Sequence, residues 1–113
     1  MIWCHLVDDY VLQGVLARMK QKKWWKDNAP HPLYKYDYLM ALLCHSLMWS
    51  ITIMLPTFFT NNFIWWLIPI NCCIHFIVDD FKANRLKINL ITDQSIHFIQ
   101  VILTWLTCYL WLA

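Results

Sequence analysis

Apolar residues run in four blocks along the chain, each interrupted by a few polar residues at helical spacing. Residues 38 to 55 (YLMALLCHSLMWSITIML) and 93 to 113 (DQSIHFIQVILTWLTCYLWLA) are long enough to cross a hydrocarbon layer of about 30 Å as α-helices. Residues 62 to 78 nearly reach that length, with Trp65 and Trp66 inside and Pro69 as the expected kink. The first block, residues 2 to 17, is weaker: it contains His5, Asp8, Asp9 and Gln13, and a central Asp costs roughly 2.5–3.5 kcal/mol on insertion. That segment is expected to be re-entrant or only partly inserted. The pattern therefore predicts an all-α, polytopic membrane protein, a four-helix transmembrane bundle in a single domain over residues 1–113. Its helices are expected over about 2–18, 38–55, 62–80 and 93–112, with loops over 19–37 and 81–92.

Composition points the same way. Sixty per cent of residues are hydrophobic and 14% charged, Gly occurs once and Trp eight times, far from the average soluble domain. All nine Lys and Arg residues lie between Arg18 and Lys35 or between Lys82 and Lys87. By the positive-inside rule these are cytoplasmic loops of a multi-pass membrane protein, with both termini outside. Nucleic acid is not an expected partner at a net charge of +2 clustered beside lipid headgroups. The expected partner is the bilayer, and the Trp-rich outer faces would equally suit a homo-oligomer.

Pro30 and Pro32 break the first loop, whose Trp24, Trp25, Tyr34 and Tyr36 are expected to lie on the headgroups, with His31 as a simple loop residue. Thr92 is the expected N-cap of the last helix. No basic n-region or cleavage site follows Met1, which is expected to begin the mature protein. The five cysteines are odd in number, lie in apolar segments and form no C-x-x-C, which argues against a disulfide framework. They read as small buried hydrophobes, with Cys72 alone sharing a helical face with His75.

The polar interruptions carry the chemistry. His5/Asp9, His75/Asp79 and Asp93/His97 are each four residues apart, so that imidazole and carboxylate share one face about 5.4 Å apart along a helix. The topology drawn from Lys and Arg brings these pairs, together with His45, into the cytoplasmic half. Imidazole and carboxylate together suit zinc, manganese or iron, with one or two ions as the expected cofactor. Simpler roles exist. Asp93 at a helix N-terminus is stabilised by the macrodipole, and Asp79 and Asp80 could pair with Lys82 or Arg85.

The stretches HLVDDYVLQ (residues 5 to 13), LLCHSLMWS (42 to 50), HFIVDDFKAN (75 to 84) and TDQSIHFIQ (92 to 100) resemble the successive signatures of a small bacterial and phage integral-membrane family, catalogued as domain of unknown function 3307. On that resemblance His5, Asp9, Gln13, His45, His75, Asp79, Asp93, Gln94 and His97 occupy motif positions, while Asp8 and Asp80 depart from it. The resemblance has no settled activity to offer beyond a distant similarity to membrane-bound metal-dependent hydrolases of lipids or phosphoesters. In such a scheme the converging residues His5, Asp9, His75, Asp79 and His97 would be metal ligands, Asp93 a ligand or general base, and His45 a ligand or general acid. Gln13 and Gln94 would position substrate or stabilise an oxyanion, and Lys82 would attract a headgroup. Two alternatives stand beside hydrolysis: an accessory membrane protein stapled by a structural polar or metal cluster, and transport of metal ions or protons.

Overall fold

In the computed structural model, which describes residues 1–111, the chain is all-α, with no strand among the described residues. Six α-helices follow one another: α1 (Ile2–Val7), α2 (Leu16–Met19), α3 (Lys22–Asn28), α4 (Asp37–Phe59), α5 (Leu67–Ala83) and α6 (Leu90–Trp111). A π-helical turn, Asp8–Leu12, extends α1, and a 3-10 turn, Pro32–Tyr34, precedes α4. The central α4 packs against α5 and against the N-terminal elements, and α6 packs on α5 and α1.

The first segment is not the single helix expected over 2–18. Gly14, the chain's only glycine, takes φ +53°, a left-handed conformation that other residues adopt at a cost, and the chain turns there. α2 and the start of α3 are thereby folded back beneath α4 and α5. Asn84, at the C-terminal end of α5, holds them there. Its Nδ2 donates to the Lys20 carbonyl at 3.0 Å, and its Oδ1 accepts from the Lys22 backbone N–H at 2.6 Å.

The long helices also shift at their ends. α4 continues through Pro56, where the sequence pattern predicted a connection; the Thr57 and Thr60 hydroxyls donate to carbonyls of Met54 and Pro56 around the ring that lacks an N–H. It stops at Asn61, whose φ of 58° is the left-handed conformation Asn tolerates after a helix. α5 starts only at Leu67, so Pro69 sits in its first turn, where no intrahelical bond is lost, and produces no mid-helix kink. α6 starts at Leu90, two residues before Thr92. Asn89 is its cap, with Oδ1 accepting from the Thr92 backbone N–H at 2.9 Å.

Among the described residues, one stretch, Pro32–Phe59, is long and apolar enough to cross a membrane. α5 is shorter, at 17 residues, and α6 carries Asp93, Gln94, Ser95, His97 and Gln100 in its first half. Polar and apolar residues share the interior, while large apolar side chains line the outside. α4 buries His45, Ser46, Ser50 and Thr57 together with Leu42, Trp49, Ile53 and Met54, and exposes Leu43, Leu47, Ile51, Leu55 and Phe58. α5 exposes Ile70, Ile74 and Ile77, and α6 exposes Ile99, Ile102, Leu103 and Trp105. The apolar core lies toward the other end of the long helices, where Trp49, Ile53, Met54, Ile64, Leu67, Val101 and Cys108 pack together.

Candidate metal centre

Three histidines and two aspartates from four elements meet in the interior. His45 comes from α4, His75 and Asp79 from α5, His97 from α6 and Asp9 from the π-helical turn. The Nε2 atoms of His45 and His75 lie 3.1 Å apart. His45 Nε2 faces Asp79 Oδ2 at 3.2 Å and Asp9 Oδ1 at 3.4 Å. His75 Nε2 faces the same two oxygens at 3.5 and 3.9 Å, and His97 Nε2 faces Asp79 Oδ1 at 3.2 Å. Two overlapping triads, Asp9/His45/His75 and His75/Asp79/His97, each bring their donor atoms within 4.8 Å of one another.

Helical spacing accounts for much of this. His75 and Asp79 share a face of α5, and Asp93 and His97 share a face of α6, so each helix delivers a pair inward. In the first segment the π-helical turn widens the spacing locally, and both members of the Asp8–Asp9 doublet turn inward. They flank the His45 ring, Asp9 beside Nε2 and the fully buried Asp8 with Oδ2 4.0 Å from Nδ1. Thr52 donates its hydroxyl to Asp8 Oδ1 at 3.4 Å. The α5 doublet is divided instead: Asp79 is buried in the cluster, and Asp80 turns away to pair with Arg85 Nε at 3.1 Å.

The remaining residues singled out by sequence surround this centre. His5 Nδ1 accepts from the Trp49 indole N–H at 2.8 Å, so the neutral ring carries its proton on Nε2, which lies 3.1 Å from Gln94 Oε1. Both His5 nitrogens are thus occupied by protein partners, and His5 stands outside both triads. Gln94 Nε2 donates to Asp93 Oδ2 at 2.9 Å and to Asp9 Oδ2 at 3.2 Å. Asp93 is fully buried, with Oδ2 accepting from Lys82 Nζ at 3.1 Å and Oδ1 3.3 Å from His97 Nε2. Gln13 donates to the Asp9 carbonyl at 2.8 Å and accepts from Lys20 Nζ at 2.5 Å. Cys72 is buried in α5 and belongs to neither triad.

Two participants were not singled out by sequence. Lys20, expected in the solvated basic loop, is only 6% exposed and donates from Nζ to Asp79 Oδ2 at 2.8 Å. The turn at Gly14 and the Asn84 clamp bring it there; the unique glycine is the signal that this segment reverses. Trp49 stacks on His75 with ring centroids 4.2 Å apart, and His75 stacks on His97 at 4.1 Å. This stack orients rings whose Nδ1 atoms have no hydrogen-bond partner among the described residues. One helical turn further from the cluster, Gln100 Nε2 and Thr104 Oγ1 both donate to Asn71 Oδ1, at 2.9 and 3.1 Å.

The charges within this region do not cancel. Asp8, Asp9, Asp79 and Asp93 provide four carboxylates, and Lys20 and Lys82 provide two ammonium groups. Neutral imidazoles would leave two negative charges in a largely buried cluster, a costly arrangement unless a cation or protonated rings balance them.

The family model described as "Protein of unknown function (DUF3307)" matches residues 1–112. No curated protein and no solved structure matches the chain.

Proposed function

The chain belongs to the DUF3307 family of proteins of unknown function, and from that premise we propose that it is a small multi-pass membrane protein with a metal-binding centre near the cytoplasmic face, where it hydrolyses a lipid or phosphoester substrate. The membrane part of this reading is supported by the large apolar side chains exposed along α4, α5 and α6 and by the His, Asp, Asn and Gln side chains buried between them. The basic residues at one end support the cytoplasmic orientation.

The observation that carries the metal reading is the spacing of donor atoms. Ligands held at about 2.0–2.1 Å from a tetrahedral ion lie about 3.3 Å from one another. Six separations among His45, His75, His97, Asp9 and Asp79 lie between 3.1 and 3.9 Å, and the donor atoms of each triad all lie within 4.8 Å of one another. A divalent ion would also balance the two surplus carboxylate charges. Asp8, behind the His45 ring, has the position of a carboxylate that orients a ligating imidazole. When bound, the ion would supply a Lewis acid and an activated water at neutral pH. Asp93 Oδ1, buried and free of a hydrogen bond, is the acceptor for a proton, and Gln94, whose amide donates to both Asp93 and Asp9, holds those two carboxylates in place.

A second reading, in which the cluster only staples the helices together, is favoured by one contact. Lys20 already holds Asp79 Oδ2 at 2.8 Å, and protonated imidazoles could supply the remaining positive charge. Elemental analysis of the detergent-purified protein, wild type beside Asp79→Asn and His45→Ala, separates the two. One or two divalent ions per chain in the wild type, lost in folded variants, are expected. Well-folded wild type without stoichiometric metal after supplementation with zinc, manganese or iron would sink the metal reading. Phosphate release from a panel of phospholipids and prenyl phosphates, absent in both variants, is the expected sign of hydrolysis.

A further inference from the structure

A cavity of about 670 Å³ opens between α3 and the 3-10 turn, and it shares no residue with the His/Asp cluster. Lys22, Lys26 and Lys35 line it, and among the described residues no carboxylate lines it or pairs with any of the three. The fourth lysine on its wall, Lys23, is paired with Asp27 at 2.5 Å.

The walls are fixed. Trp25 donates its indole N–H to the Met19 carbonyl at 2.6 Å and stacks with Tyr34, ring centroids 6.3 Å apart. His31 Nδ1 accepts from the Leu33 backbone N–H at 3.1 Å, so the neutral ring keeps its proton on Nε2 as a free donor. Three ammonium groups with no carboxylate partner, those of Lys22 and Lys35 resting over the Tyr38 and Tyr36 rings, and an imidazole N–H beside an aromatic wall suit a phosphate group.

The same Trp25 also forms part of a second, adjoining groove of about 400 Å³ lined by Leu16, Met19, Met40, Ala41 and Cys44, with Asp37 its one charged residue. Met40 and Cys44 lie on α4, within the one stretch apolar enough to cross a membrane. A cationic cavity and an apolar groove that meet at one tryptophan match the two ends of a lipid.

We infer that this paired cavity and groove bind an anionic phospholipid, phosphate among Lys22, Lys26 and Lys35 and acyl chain along the first part of α4. The site rests on the membrane reading above and is independent of the metal reading.

The test titrates the full chain, purified in a neutral detergent, with short-chain phosphatidic acid, short-chain phosphatidylcholine and inorganic phosphate. The titrations are followed calorimetrically and repeated on two charge-matched variants. Phosphatidic acid is expected to bind most tightly. Lys22→Gln/Lys26→Gln/Lys35→Gln is expected to weaken it by about two orders of magnitude, while Arg18→Gln/Arg85→Gln/Lys87→Gln weakens it by about tenfold at most. Equal losses in the two variants would overturn the site in favour of general surface charge. Inorganic phosphate binding as tightly as phosphatidic acid would overturn the lipid assignment, and equal affinity for phosphatidylcholine would overturn the role of the lysines. Helicity and metal content recorded on the same samples keep a folding failure, or a failure of the metal reading, separate from these outcomes.

Discussion

Lys20 Nζ lies 2.8 Å from Asp79 Oδ2, the same oxygen that faces His45 Nε2 at 3.2 Å and His75 Nε2 at 3.5 Å. An ammonium at that oxygen takes one of its lone pairs and repels a divalent ion beside it, so Lys20 and a metal compete for the charge of Asp79. Removing one partner of a buried ion pair costs about 3–5 kcal/mol, because the other charge is left uncompensated. Lys20→Met is therefore expected to lower the thermal midpoint sharply in chelator-treated protein and to recover it on metal addition, with apparent metal affinity at least about tenfold higher than wild type. Competition against a chromophoric chelator measures the affinity. A variant equally unstable with and without metal would favour the staple reading.

Asp8 and Asp9 are adjacent but differ in position, one beyond each nitrogen of His45, at 4.0 Å from Nδ1 and 3.4 Å from Nε2. Asp9→Asn is expected to lose the ion from the Asp9/His45/His75 triad outright. Asp8→Asn is expected to keep the stoichiometry and lose about 10–100-fold in affinity, the usual effect of removing a carboxylate behind a ligating imidazole. Metal content and chelator competition on the two variants distinguish them, and identical losses would contradict the division of roles.

How far this region can be read from the chain depends on whether the helix stays regular. His45, His75, Asp79 and His97 lie on uninterrupted helices, where spacing alone fixes a common face, and spacing also separates Asp79 from Asp80. The first segment has no such regularity. Its apolar periodicity runs on through the π-helical turn and through Gly14, so the sequence predicts one helix where the chain bends and folds back. Regular helical spacing consequently favours Asp9 over Asp8 and gives no sign that both face His45. Lys20 was hidden for a different reason. Beside Lys22 and Lys23 it reads as a solvated loop residue, and only the spatial proximity of Asp79, Gln13 and Asn84 marks it as buried. Asn71 and Gln100 went unnoticed because uncharged amides in an apolar helix leave little trace in composition.

Trp49 links the apolar core to the cluster through one hydrogen bond, its indole N–H to His5 Nδ1 at 2.8 Å. Trp49→Phe retains an aromatic ring against His75 but leaves a buried acceptor on His5 unmade, a cost of about 1–3 kcal/mol. Thermal unfolding is expected to report that loss while metal content stays at the wild-type value, since His5 stands outside both triads. A matched loss of metal would mean that His5 is itself a ligand.

Gly14 sets the reversal that delivers Lys20, and its φ of +53° is the reason for the residue type. A Cβ there would meet nothing nearer than the Leu12 carbonyl oxygen at 3.9 Å, an ordinary contact, so the penalty for a side chain is conformational. Gly14→Ala is expected to destabilise by about 1–2 kcal/mol, and Gly14→Asn by less, because Asn tolerates the left-handed region. Strain at Gly14 favours release of α2 from beneath the cluster, which frees Asp79 from Lys20. Gly14→Ala should therefore bind metal more tightly than wild type while unfolding at lower temperature in chelator. Titration of metal-free Gly14→Ala and Gly14→Asn against the same chromophoric chelator checks both directions, and weakened binding in Gly14→Ala would show that the bend is needed to assemble the ligands rather than to hold Lys20 against them.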